Sequence, residues 1–201
     1  MIFKMNEQTA RDNYKLLIGS VVPRPIAFVT SVSAEGVVNA APFSYFNIVN
    51  NDPPMLMFSC GRHADGTLKD TARNILANQE FVIHVTDEDN IEAINHTSIS
   101  APAHISELTL AGLTAVPGTT VAVPRVQESP VAMECRLAQI VELGKFDVII
   151  GEVLSFYVRD DLVQNGRIDI GKLKPISRLA GSSYSAIGRI FDLERPVYEE
   201  K

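Results

Sequence analysis

Polar and apolar positions along this chain alternate with a period of two more often than with a period of 3.6. Two short apolar runs, Ile26-Ala27-Phe28-Val29 and Met55-Leu56-Met57-Phe58, predict strands over 26–33 and 55–60. The second is apolar at successive positions, which predicts burial on both faces. Pro23 and Pro25 force an extended entry to the first. Residues 37–41 pair back on it through the Glu35-Gly36 turn. Residues 80–86 predict a further strand. Two longer runs, 131–143 and 146–158, alternate and are joined by Gly144-Lys145, a hairpin signal.

Helical spacing is confined to three stretches. Over 9–19, Thr9 and Asp12 resemble a capping box, Tyr14, Leu17 and Ile18 share a face, and Gly19 supplies the stop. Over 67–78, Thr67 and Asp70 form the capping pair, and Leu68, Ala72, Ile75 and Leu76 make the apolar stripe. Over 87–96, Asp87 is the expected N-cap, with Ile91 and Ile94 inward. Residues 97–110 have no period and predict a loop. Residues 195–201 are charged and expected to fray. Strands outnumber helices and are joined by hairpins. The expected class is therefore mainly β, an antiparallel barrel with peripheral helices forming one domain over 1–201.

Composition narrows the function classes. Hydrophobic residues make up 46% of the 201, enough for a sizeable core. A net charge of -6 argues against a nucleic-acid partner, which would need a basic face. No apolar run reaches membrane-spanning length, and the first residues lack a signal-peptide core, so no membrane role and a cytoplasmic location are expected. Cys60 and Cys135 lie far apart and read as buried thiols. Neither they nor His63, His84, His96 and His104 show a metal-ligand spacing. His84, inside a strand, reads as a packed histidine. No residue sits in a nucleophile motif, so no catalytic side chain is expected, and no Rossmann or P-loop fingerprint occurs.

The remaining chemistry lies between Pro23 and Thr71. Lys69 falls at the start of the 67–78 helix, where a lone cation opposes the helix dipole. An anionic ligand reverses that sign, so the helix amides, Thr71, Lys69, Arg62 and Ser59 could converge on one phosphate. The alternative is a solvated lysine and a surface arginine. Thr30-Ser31 and the stretch from Asn39 to Ser44 place neutral donors and acceptors beside apolar strands, the mix a flat heterocycle needs along its edge. The alternative there is ordinary turn chemistry.

Taken together these residues resemble the flavin reductase-like family of FMN-binding split-barrel proteins. The signals are Pro23-Arg24-Pro25-Ile26-Ala27, Asn39-Ala40-Ala41-Pro42-Phe43-Ser44, Gly61-Arg62, Lys69-Asp70-Thr71, Gly112-Leu113-Thr114, Glu134-Cys135, Gly151-Glu152-Val153 and Arg178-Leu179-Ala180-Gly181. The resemblance implies a Greek-key split barrel, a homodimer and one FMN per subunit. It also implies that Thr30, Ser31, Asn39, Ala40, Ala41 and Ser44 lie along the flavin ring and ribityl chain. Ser59, Arg62, Lys69 and Thr71 would hold the phosphate, with Arg178 and Tyr184 near the flavin. His63 and His84 depart from the family's more frequent arginine and asparagine. The implied activity is NAD(P)H-dependent flavin reduction, with NADH or NADPH as reductant and a monooxygenase as a recipient of reduced flavin. Two rivals stand beside it: a flavoredoxin-like electron carrier with a redox-protein partner, and a non-catalytic FMN-binding module.

Overall fold

The computed structural model describes residues 1–198 of the chain. After a first helix, α1 (Ala10–Ser20), four strands follow: β1 (Ala27–Val32), β2 (Val38–Phe43), β3 (Phe46–Asn51) and β4 (Pro54–Gly61). Helix α2 (Asp70–Asn78) leads to β5 (Glu80–Val85). Two short helices, α3 (Ile91–His96) and α4 (Glu107–Ala111), and two two-residue strands, β6 (Ala115–Val116) and β7 (Arg125–Val126), precede the long hairpin. That hairpin is β8 (Val131–Leu143) and β9 (Phe146–Val158). The chain ends in β10 (Val163–Gln164), β11 (Arg167–Ile168), α5 (Ile170–Leu173), β12 (Ser177–Arg178) and β13 (Tyr184–Ser185). No helix among the described residues is long and apolar enough to cross a membrane.

Seven strands form one antiparallel sheet in the order β2-β1-β5-β8-β9-β4-β3. The molecule is mainly β, a split barrel with its helices outside the sheet. Helix α2 carries the chain from β4 to β5, which are separated in the sheet by β8 and β9. Curling the sheet around one apolar interior brings Phe43, Phe58 and Phe81 together: ring centroids are 4.8 Å apart for the first pair and 5.8 Å for the second. Leu56, Cys60, Ile75, Cys135 and Ile149 close this core. Burial of roughly 1.5–3 kcal/mol per large apolar side chain makes it the main stabilising unit.

Several local expectations hold and others are corrected. Thr9 caps α1 by accepting the Asp12 amide, and the 131–143 and 146–158 hairpin forms with Gly144 at φ 69°. Strand β4 is buried on one face only: Leu56, Phe58 and Cys60 point inward, while Met55, Met57 and Ser59 are half-exposed. One of these outer positions, Met57, lines a cavity with Leu17, Ile18 and Val21 from the end of α1. Strand β3 was hidden by its three asparagines.

Thr67 does not cap α2. Its hydroxyl donates to Asp65 at 2.7 Å in the preceding turn, so the helix starts later and Lys69 occupies the N-cap position. Leu76 is 42% exposed, because the stripe continues through Thr71, Ala72 and Ile75 instead. Asp87 caps a turn, accepting the amides of Asp89 and Asn90, and Asn90 takes the N-cap of α3. The 97–110 stretch contains the start of α4. Residues 195–198 carry no regular structure and are exposed; 199–201, the rest of the segment expected to fray, lie outside the described residues.

Candidate functional site

The chemistry gathers along a trench on the outer side of β2. One part, a cavity of about 300 Å³, runs past Asn39, Ala41, Pro42, His63, Lys69, Thr71 and Glu107. Its neighbour, about 310 Å³, runs past Pro42, Ser44, Tyr45, Arg24, Arg178 and Tyr184. Pro42 and Ser98 line both, so the two adjoin. Each lies at the small end of the usual range for ligand sites.

The first end is built by the N-terminus of α2. Lys69 at the N-cap has extended geometry and makes no side-chain capping bond. No carboxylate pairs with its ammonium among the described residues, since Asp70 is taken by Arg73. The first amides of a helix have no partner within it. Here they stand beside an unpaired cation, where the helix dipole adds further positive potential.

Behind this end lies a buried polar network. Asn39 Oδ1 accepts from the Thr71 hydroxyl at 2.7 Å and from Ser31 at 3.2 Å. Asn39 Nδ2 donates to Glu107 Oε2 at 3.0 Å, and the same oxygen accepts the Ala40 amide at 3.0 Å. Asn74 Nδ2 donates to Ser31. Glu107 thereby sets which way the Asn39 amide points, leaving its oxygen toward α2. This residue escaped the sequence reading because 97–110 had no period. Its one signal was position, just ahead of Gly112-Leu113-Thr114.

The second end is built by the late chain. Arg24 and Arg178 exchange backbone hydrogen bonds, Arg24 N to Arg178 O at 3.0 Å and Arg178 N to Arg24 O at 2.8 Å. Arg24 is 6% exposed. Its guanidinium donates to the Ile18 and Val21 carbonyls at the end of α1 and to Leu179 O. The negative end of the helix dipole compensates its charge, so it clasps α1, β1 and the late chain together. Arg178 donates to Tyr184 Oη and to Gly181 O and lies 4.6 Å from the Tyr184 ring centroid. Tyr184 Oη in turn donates to Asn95 Oδ1 at 2.8 Å.

Of the residues expected to bind a cofactor, Asn39, Ala41, Ser44, Lys69, Thr71, Arg178 and Tyr184 line the trench. Thr30, Ser31 and Ala40 are fully buried behind it, Thr30 donating to Pro124 O. Ser59 is half-exposed on β4, away from both cavities. Arg62 Nε and Nη2 donate to both oxygens of Asp147, and Glu142 pairs with it as well. That contact with Asp147 holds the guanidinium pKa above its ordinary value.

Four other side chains are taken up by the fold. His84 is wholly buried, its Nδ1 2.9 Å from Phe28 O and its Nε2 accepting the Val126 amide at 2.9 Å. Burial pushes its pKa down to about 4. For Glu134, burial alone would raise the carboxyl pKa, but the amides of Thr119, Thr120 and Val121 outweigh it and hold it below the usual range. Cys60 and Cys135 are buried free thiols; burial pushes Cys60 up to about 11 and Cys135 further. Neither is a thiolate near neutral pH, so neither is a nucleophile.

Comparison with known proteins gives a consistent picture. A family model described as flavin reductase like domain matches residues 18–172. An uncharacterised protein of Halalkalibacterium halodurans is 48% identical over 196 residues, with 94% of each chain covered. The crystal structure of nitrilotriacetate monooxygenase component B from Bacillus cereus superposes with a TM-score of 0.94 at 47% identity, covering 96% of this chain and 98% of that one. The Pseudomonas fluorescens 2-nitrobenzoate 2-nitroreductase superposes with a TM-score of 0.91 at 33% identity, covering 100% and 99%.

Proposed function

We propose that this chain, which belongs to the flavin reductase-like family, binds FMN in the trench and reduces it, or free flavin, with NADH or NADPH. The observation that carries the reading is Lys69 at the N-terminus of α2, a cation that no carboxylate pairs with among the described residues. A ligand ending in a phosphate fits that end: it would satisfy the amides and turn an unfavourable cation into a favourable one. Lys69 serves here rather than Arg62, whose guanidinium is engaged by Asp147. Asn39, held by Glu107, and Thr71, which donates to Asn39, would face the ribityl hydroxyls, with Ala41, Pro42 and Ser44 along the ring.

Bound FMN would supply the capacity to accept a hydride from a nicotinamide, a transfer for which the protein needs no acid or base of its own. The chain's contribution is orientation. The rigid β2 backbone and the Asn39–Glu107 contact pre-set the polar edge, and half-buried Tyr45 and Pro42 keep part of the trench apolar. Similarity to a monooxygenase component B supports delivery of reduced flavin to a monooxygenase partner. The exposed apolar side chains of the sheet edge support a homodimer.

The test is a titration of wild type and Lys69→Ala with FMN and with riboflavin, followed by anaerobic mixing with NADH and NADPH. Loss of one charge-assisted hydrogen bond should weaken FMN about tenfold to hundredfold and leave riboflavin nearly unchanged. Equal losses for both would remove the phosphate from this end. Bound flavin that neither nicotinamide bleaches, but a reduced protein donor does, would make the chain an electron carrier instead.

A further inference from the structure

Arg178 is a positioned cation that the fold does not use up. Tyr184 and Gly181 accept from two of its donors; a guanidinium carries five, and the rest meet no protein acceptor among the described residues. No carboxylate pairs with it there. Its place is fixed twice: the backbone by the paired bonds to Arg24, and the side chain by the Tyr184 ring and hydroxyl, which Asn95 orients in turn.

The Arg24 clasp accounts for the neighbouring charge. The Arg24 Nη groups are spent on carbonyls, and its Nε is sealed from solvent without a partner. Its charge is compensated by the end of α1 and its Nη donors are already engaged, so it is not the group that would hold an anion here. Arg178 is half-exposed and lines the cavity. The walls beside it mix apolar groups, Ile91 and Tyr45 among them, with the polar side chains of Ser44, Asn95 and Ser98. A pre-set guanidinium fork beside the Tyr45 ring, in a cavity lined mainly by polar groups such as Ser44, Asn95 and Ser98, suits a small molecule carrying a carboxylate or a phosphate.

We propose that Arg178, held by Tyr184 at the end of the trench away from Lys69, is the subsite for an anionic group on the second substrate. The two cationic centres then divide the work. Lys69 with α2 takes the cofactor's phosphate, and Arg178 takes the carboxylate or phosphate of the molecule that meets the flavin. The assignment rests on the proposed flavin site for what lies between them, but the binding at Arg178 is measurable without it.

The experiment is calorimetric titration of the protein as purified, wild type, Arg178→Gln, Arg178→Lys and Tyr184→Phe. The probes are benzoate, neutral benzamide, NAD and NADP, with FMN affinity measured separately by fluorescence. Arg178→Gln should weaken at least one anionic probe about tenfold to hundredfold, leaving benzamide and FMN within about threefold. Arg178→Lys should restore part of the loss, and Tyr184→Phe should cost less than Arg178→Gln, because it loosens the fork without removing it. A response confined to benzoate identifies an organic acid; one confined to the dinucleotides identifies the reductant's phosphates.

An equal loss for FMN would place Arg178 on the cofactor and overturn the proposal. So would equal losses for benzoate and benzamide, or no saturable binding of any anionic probe by wild type at millimolar concentration. Arg178-dependent binding in a protein that fails to take up FMN would sink the flavin reading and leave the subsite standing.

Discussion

At the residue scale, the buried His84 should make stability depend on pH. Its two contacts, to Phe28 O and from the Val126 amide, need a neutral ring protonated on Nδ1. In the unfolded chain the imidazole binds its proton near pH 6.5; in the fold burial delays this to about 4. Between those values the unfolded state holds more protons, so stability is full above pH 6.5 and declines as pH falls toward 4. The loss should reach about 3 kcal/mol by the bottom of that window. Urea melts of wild type and His84→Gln from neutral pH downward check it. A wild-type slope that the substitution leaves intact would assign the acid sensitivity to other groups.

At the scale of elements, the tightest of the glycine positions is Gly151 on β9, against which Phe81 of β5 packs from across β8. Gly151 pairs with Leu56 on one side and Leu137 on the other. A Cβ built there would lie 2.3 Å from Phe81 Cζ and 2.9 Å from Phe81 Cε1. Phe81 is fully buried against Phe58 and has no room to retreat. Gly151→Ala should therefore cost at least about 1–3 kcal/mol, while Gly144→Asn, at a positive-φ hairpin position open to solvent, should cost much less. Denaturant unfolding of the two variants decides it; similar losses would mean that β9 shifts to admit the methyl group. Helix α2 likewise lacks a side-chain cap because Thr67 spends its hydroxyl on Asp65 and Lys69 takes the N-cap position.

For the whole molecule, the question is what covers its apolar exterior. Ile48 and Val49 on edge strand β3 are 72% and 48% exposed, and Phe156 on β9 is 58% exposed. An unpaired sheet edge carrying such side chains invites pairing with another chain, and a symmetric dimer covers it without open-ended growth. Light scattering with FMN bound should give twice the 22.0 kDa chain mass at micromolar concentration. A persistent monomer would leave those side chains without a partner and count against the homodimer.

Some of this was written in the sequence itself. The 131–143 and 146–158 hairpin, the strand at 26–33 and the Thr9 cap each depend on neighbours within a few residues, where alternation, glycine and capping chemistry act directly. The family was legible too, because its motifs are local and keep their order. What the linear chain could not decide is which polar groups would be spent on one another. Asp147 lies 85 positions from Arg62 and reaches it because β4 and β9 are neighbours in the sheet. Glu107 finds Asn39 across 68 positions, and Tyr184 finds Asn95 across 89. Lys69 and Arg62 look alike on paper, as two cations near one helix start. Folding pairs one with a buried carboxylate and gives the other no carboxylate partner among the described residues. Charge and spacing nominate the candidates; only the packing of distant strands, which brings each group its partner or withholds it, separates a structural cation from one that can hold a ligand.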